Sequence, residues 1–106
     1  MRRVTLEDME DELRKGKVYE CSVRAKKGQL EGMWAGESVY VDPRPSIIET
    51  LIHELLHRRY PNWTEQTVFI KARNLVVKMD ERTLAKWWRA YQRIKKRRAP
   101  VDWDED

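Results

Sequence analysis

The chain has little cysteine and no long apolar segment, and each shortage excludes a class of protein. Cys21 is the only cysteine among 106 residues, so no disulfide can form within the chain. The absence of disulfides is typical of proteins in a reducing compartment. No apolar run approaches the roughly 20 residues that a helix needs to cross a bilayer, and residues 1–8 lack the apolar core of a signal peptide. We therefore expect a cytoplasmic protein with no membrane partner.

Uncharged amides are also scarce, whereas charged residues make up 38% of the chain. This balance is typical of proteins from thermophiles, in which ion pairs are dense. The net charge is +4, and the last five residues include four carboxylates, so residues 1–99 carry +8 by subtraction. An acidic tail on a basic body is either a solvated end or a segment that folds back onto the body.

The apolar pattern predicts an α+β fold with an N-terminal helix, a small antiparallel sheet and then three helices. The first helix is expected at 5–15, because Thr5 and Asp8 have the spacing of a capping box and Gly16 follows. Strands are expected at 17–25, 30–35 and 37–41. Residues 1–99 would form one domain, and residues 100–106 would form a tail.

The three later helices are each marked by a cap or a proline. Ser46 and Glu49 suggest a capping box, so a helix is expected from about Ile47 to Tyr60. Thr64 can cap a second helix that reaches about residue 79. Asp80 can cap a third, expected over 81–98, because Pro100 cannot continue it.

The pattern with the most chemical content is His53-Glu54-Leu55-Leu56-His57, inside the first of these helices. Residues four apart lie on one helical face, so the two imidazoles can bind one cation. Glu54 lies at the edge of that face. There it can take a proton from a water whose pKa zinc lowers toward ~7, and then protonate a leaving amine. The motif predicts a zinc metallopeptidase with Glu54 as general base; the alternative is two histidines that merely pack or face solvent.

A catalytic zinc ion needs a third protein ligand and one open position. No third histidine is present, but Glu65 follows His57 by eight residues and begins the next predicted helix. It would face the histidine pair if the two helices are antiparallel. Asp80 and Glu81, at the far end of that helix, are weaker candidates. The alternative for Glu65 is a first-turn carboxylate that favours the helix dipole.

The sequence His53-Glu54-x-x-His57, followed by Glu65 on a second helix, resembles the gluzincin peptidases. The small size and trailing helix resemble the minigluzincin family of small zinc metallopeptidases. That family is similar to the catalytic domains of larger, membrane-embedded peptidases. The resemblance is specific over residues 46–72. It implies a zincin-like fold, a Zn²⁺ cofactor, and endopeptidase activity on a peptide or unfolded protein substrate.

One position departs from the larger gluzincins, which often have an acidic residue four positions after the metal-binding Glu. This chain has Phe69 there, so Asn74 or backbone carbonyls would have to orient the histidines. Donors for an oxyanion are not fixed by the sequence, and Tyr60, Arg73 and Tyr91 are candidates. A substrate-binding edge strand is expected within 30–41, where Gly32 and Gly36 suit either close approach of a peptide or ordinary turns.

The resemblance also implies that the tail inhibits the enzyme, because minigluzincins are zymogens kept latent by their C-terminal segments. Trp103 would be the anchor in the cleft, and Asp102 or Asp104 would take the open zinc position. Pro100 favours an extended chain at this point, and a short tether raises the local concentration to the order of mM. The alternative is a disordered, solubilising tail.

The third predicted helix and the residues after it are strongly basic, and this allows a different function. The cations are Arg89, Arg93, Lys95, Lys96, Arg97 and Arg98. Such a face is usually solvated, while Trp87, Tyr91 and Ile94 are spaced as a core seam. The alternatives are a basic nucleic-acid-binding module, in which Trp88 stacks on bases, or a peptidase that cleaves a DNA-bound regulator.

Overall fold

A computed structural model describes residues 3–25 and 28–101 of the chain. Its elements follow the α+β order that the sequence predicts: an N-terminal helix, a region of short strands, and three helices. They are α1 (Leu6–Lys15), β1 (Lys17–Glu20), β2 (Val23–Ala25), β3 (Gly28–Leu30), β4 (Gly32–Ala35), β5 (Ser38–Val41), α2 (Arg44–Arg59), α3 (Glu65–Val77) and α4 (Glu81–Ile94).

The main sheet is mixed, whereas the sequence predicted an antiparallel one. Its strand order is β1-β5-β4; β4 is antiparallel to β5, and β1 is parallel to β5, with Val18 opposite Val39. The difference arises because the strand expected at 17–25 is interrupted after Glu20. The chain then forms a separate β2–β3 hairpin and rejoins the sheet at β4, so β1 does not pair with its successor.

The β4–β5 hairpin accounts for both glycines in this region. Gly36 has φ of +61°, a conformation that side chains disfavour. A Cβ atom on Gly32 would lie 2.9 Å from the carbonyl oxygen of Tyr40 on β5. Both positions therefore serve the turn and the pairing of the two strands.

Two helix boundaries differ from the predicted ones. Helix α2 begins at Arg44, so Ser46 lies inside the helix and does not cap it. The first backbone N–H groups of a helix have no partner within it, and that of Arg44 donates to a carboxylate oxygen of Asp42 at 3.0 Å. Helix α4 ends at Ile94, four residues before the predicted end, and Lys95 is extended. The next four residues are all cationic, so they have no apolar face to pack and repel one another at helical spacing.

The core lies between α2, α3 and α4. Its buried residues are Ile48 and Ile52 from α2, Ala72 and Val76 from α3, and Leu84 from α4. Trp87 and Tyr91 pack against this core as the seam predicts, but Ile94 is 62% exposed. No helix in the described part of the chain is long and apolar enough to cross a membrane.

An ionic cluster joins the end of the sheet to the helical core. Asp42, which follows β5, is 2% exposed. The Arg44 guanidinium donates to both carboxylate oxygens of Asp42 at 2.9 Å, and to both oxygens of Glu81 at 2.9 and 2.8 Å. The Ser22 hydroxyl donates to Glu81 at 3.3 Å. The first turns of α2 and α4 are thereby held to the strand region.

Candidate metal centre

The turn between α2 and α3 decides where Glu65 lies. The Tyr60 backbone N–H closes α2, and the Trp63 N–H donates to the Tyr60 carbonyl at 3.0 Å. The two rings stack with centroids 4.1 Å apart. Thr64 then caps α3, because its hydroxyl accepts from the Thr67 N–H at 3.1 Å. Because of this short turn, α3 runs back along α2, and Glu65 lies in the first turn of α3.

His53, His57 and Glu65 meet at this point. Nε2 of His53 lies 2.5 Å from Oε1 of Glu65, and Nε2 of His57 lies 2.9 Å from Oε2. The two imidazole rings are 4.9 Å apart and inclined at 68°. One ligand atom from each side chain lies within 4.8 Å of the other two. The i, i+4 spacing and the short turn therefore produce the three-residue arrangement that the sequence suggested.

The two histidines of the cluster are more buried than Glu65. The side chains of His53 and His57 are 19% and 30% exposed, whereas that of Glu65 is 73% exposed. The hydrogen bond that His53 donates is the main cause that lowers the pKa of Glu65. Glu65 is therefore a carboxylate at neutral pH, with both oxygens turned toward the imidazoles.

The donor set fits zinc better than a hard cation. Two imidazole nitrogens and one carboxylate are a common set for catalytic zinc, and bonds of about 2.0–2.2 Å leave one tetrahedral position for solvent. Tetrahedral geometry separates such ligand atoms by roughly 3.3 Å. The hydrogen bonds of 2.5 and 2.9 Å are shorter, so Glu65 must withdraw slightly, which its exposure permits. Each Nε2 must also give up its proton.

Glu54 is exposed on the solvent side of α2 and is absent from the three-residue cluster. It lines an open groove of about 410 Å³ whose other lining residues are Ser46, Ile47, Thr50, Leu51 and Tyr91. Tyr91 reaches this groove from α4. One of the three oxyanion candidates therefore lines the same groove as the predicted general base.

The other candidates lie in different surroundings. Tyr60 stacks on Trp63, and Arg73 makes a long ion pair of 3.7 Å with Glu49. Asp80 caps α4 through the Thr83 N–H at 2.8 Å, and Glu81 contacts Arg44. Asp80 and Glu81 are therefore engaged elsewhere, which leaves Glu65 as the carboxylate beside the two histidines.

The predicted supporting partners of the histidines are not in place. Asn74, the side chain that the sequence offered for this role, is exposed. Among the described residues the polar contacts of His53 and His57 go to Glu65 alone, so no backbone carbonyl there supports them either. The tail residues Asp102, Trp103 and Asp104 lie outside the described part of the chain. The Asp42–Arg44–Glu81 cluster was not predicted from the sequence, where its one sign is the charged pair that flanks Pro43, a common loop pattern.

Comparisons of the chain with protein-family models, with curated proteins and with solved structures find no match.

Proposed function

We propose that this protein is a zinc-dependent endopeptidase of the gluzincin type. The observation that carries the proposal is the convergence of His53 Nε2, His57 Nε2 and the Glu65 carboxylate within 4.8 Å. Glu54 follows the first of these histidines directly and borders an open groove. Three metal ligands together with a neighbouring carboxylate are the groups that zinc-dependent hydrolysis of an amide uses.

Each residue has a distinct role in this mechanism. His53, His57 and Glu65 would hold the ion, and zinc, when bound, would supply a Lewis acid for the substrate carbonyl and the attacking water. Glu54 accepts the proton of the attacking water and returns it to the leaving amine. The Tyr91 phenol donates a hydrogen bond to the oxyanion that develops on the substrate carbonyl.

The groove that Glu54 lines supports an extended peptide as the substrate. Its volume of about 410 Å³ lies within the usual range for ligand sites, and the apolar side chains of Ile47 and Leu51 suit an apolar residue next to the scissile bond. The groove is open, so a chain can continue past both ends. A peptide in extended form would gain main-chain hydrogen bonds at β4, which forms one edge of the main sheet.

The test compares zinc content with cleavage of an unfolded protein, such as fluorescein-labelled casein. Glu54→Gln removes the proton acceptor at constant size, so the rate should fall by ~10²–10⁴ while zinc stays stoichiometric. Glu10→Gln, an exposed substitution in α1, should change neither value.

Both the full-length chain and a chain that ends at Ala99 are assayed, since we also propose that the tail keeps the enzyme latent. Wild-type cleavage by Glu54→Gln would disprove the role of Glu54. Absence of cleavage by both zinc-loaded forms of the wild type would disprove the endopeptidase proposal.

A further inference from the structure

Positive charge is concentrated on one element of this protein. Residues 81–98 contain eight cations and one carboxylate, a net charge of +7. The rest of the chain contains 14 cations and 17 carboxylates, a net charge of −3. The basic character of the protein, with its pI of about 9.3, therefore comes entirely from α4 and the residues that follow it.

The four cations within helix α4 lie on one face of the helix. Arg82, Lys86, Arg89 and Arg93 follow one another at intervals of four, three and four residues, which is one stripe of an α-helix. All four are exposed. We call this stripe the basic ridge; it is about 16 Å long at 1.5 Å per residue. The opposite face holds Leu84, which is 1% exposed, and the aromatic residues that pack on the core.

Within the described part of the chain, no carboxylate forms an ion pair with a ridge residue. The ion pairs recorded for described side chains use Arg14, Arg44, Arg73 and the two histidines as their cations. Asp80, next to the ridge in sequence, uses its carboxylate to accept from the Thr83 N–H at 2.8 Å. Four like charges on one stripe repel one another, so a polyanion laid along them would relieve a real cost.

We infer that the basic ridge binds the phosphate backbone of a nucleic acid. The ridge is linear, and its successive charges are about 4.5–6 Å apart along the helix axis. Each strand of duplex DNA carries one phosphate per 3.4 Å of axis. Both are therefore rows of charge with a spacing of a few ångströms, and long Arg and Lys side chains can bridge the difference. Lys95, Lys96, Arg97 and Arg98 extend the same charge beyond the helix. An anionic membrane is a poorer partner, because an interfacial helix inserts its apolar face and that of α4 is packed on α2 and α3.

The structure also indicates how such a strand is recognised. Trp88, the sequence-based candidate for stacking on bases, is half-buried against the core, with its ring 5.8 Å from that of Tyr91. Stacking by Trp88 therefore does not contribute, and Arg and Lys contacts to phosphate remain. Binding of this kind is insensitive to base sequence and depends strongly on salt. It needs no metal, so the ridge is independent of His53, His57 and Glu65.

The experiment measures binding of the full-length protein to a fluorescein-labelled 30-nucleotide single strand and to the matching duplex, from 50 to 200 mM salt. The ridge variant carries Arg82→Gln, Lys86→Gln, Arg89→Gln and Arg93→Gln. A control variant carries Arg3→Gln, Lys15→Gln, Lys71→Gln and Lys78→Gln, four exposed positions elsewhere with the same change in net charge. Far-UV circular dichroism and zinc content establish that both variants fold.

We expect the ridge variant to bind at least about tenfold more weakly at 50 mM salt. The slope of log affinity against log salt should become shallower by about 3, since each phosphate contact contributes roughly 0.7–0.9. The control variant should keep most of the wild-type slope, and a chelator should not affect binding. Equal losses in both variants, or binding of phosphatidylserine vesicles without binding of nucleic acid, would overturn the inference. Neither result bears on the peptidase proposal, which is judged by zinc and Glu54.

Discussion

Nε2 of His53 lies 2.5 Å from Oε1 of Glu65, although twelve residues separate them along the chain. The contact depends on a turn of only five residues between α2 and α3, which brings the first turn of α3 back to the middle of α2. His57 contacts the other oxygen of the same carboxylate at 2.9 Å. One carboxylate thus holds two imidazoles, four residues apart on α2, in position for a shared ion.

Removal of one histidine should abolish stoichiometric zinc binding. In His53→Ala only two donors remain, which is too few for a stable site. At free zinc 100 times its Kd, the wild type should gain ~2.7 kcal/mol of stability from the ion, and the variant should gain almost none. Elemental analysis and thermal melting with and without zinc measure both effects. Glu65→Ala should behave similarly, and full zinc retention by either variant would contradict the ligand assignment.

Loss of the Tyr91 hydroxyl should slow the chemical step. If the phenol stabilises the oxyanion, Tyr91→Phe should lower kcat by ~10²–10³ with little change in KM. Steady-state kinetics on the chain that ends at Ala99 measure both constants. Tyr40→Phe is the matched control, since Tyr40 stacks on Tyr19 in the sheet at 5.5 Å and should leave kcat unchanged. An unaltered kcat in Tyr91→Phe would remove this residue from the mechanism.

Inhibition of the proposed peptidase activity by the tail is a prediction from the sequence and its resemblance. A chain that ends at Ala99 lacks Asp102, Trp103 and Asp104, so its open zinc position and cleft should be accessible. It should therefore cleave an unstructured peptide faster than the full-length chain and bind a small hydroxamate more tightly. Trp103→Ala in the full-length chain should give part of the same gain. Equal activity of the full-length and shortened chains would mean that the tail does not inhibit.

The Asp42–Arg44–Glu81 cluster should contribute strongly to stability. Its side chains are largely buried, at 1% exposed for Asp42 and 13% for Arg44. Arg44→Ala leaves the Asp42 carboxylate buried and unpaired, at a cost of ~3–5 kcal/mol in the free energy of unfolding. Arg73→Ala is the control: its pair with Glu49 spans 3.7 Å, and Arg73 is 56% exposed, so the cost should stay below ~1 kcal/mol. Urea denaturation measures both, and similar small losses would contradict the stabilising role.

Asp80 should make stability depend on pH in acid. Hydrogen bonds from Thr83 lower the pKa of Asp80 in the folded protein, below the value of about 3.9 for an unfolded chain. A lowered carboxyl pKa contributes stability that is present above the unfolded value and is lost as pH falls through the folded one. Asp80→Asn keeps a capping oxygen but cannot titrate. In urea denaturation, the free energy of unfolding of the wild type should therefore exceed that of this variant at pH 7 but not at pH 2. A difference in this free energy that does not change with pH would refute the assignment.

Several features of the protein follow from local chemistry alone. Helix α1 has the predicted capping box, in which Thr5 and Asp8 exchange hydrogen bonds of 3.0 and 3.1 Å. Thr64 and Asp80 cap α3 and α4 as expected. The helical period places His53 and His57 on one face, and the short turn brings Glu65 to them. These relationships involve residues at most twelve positions apart, so sequence spacing was sufficient to predict them.

Other features were decided by contacts between distant segments. The parallel pairing of β1 with β5 and the start of α2 at Arg44 depend on where the chain returns after the β2–β3 hairpin. Glu81, a weak ligand candidate by sequence, binds Arg44 from 37 residues away. Tyr91 reaches the groove of Glu54 only because α4 packs against α2. Sequence determined which side chains share a helical face, whereas burial and long-range ion pairing decided which faces meet, since their free energies depend on the packed chain.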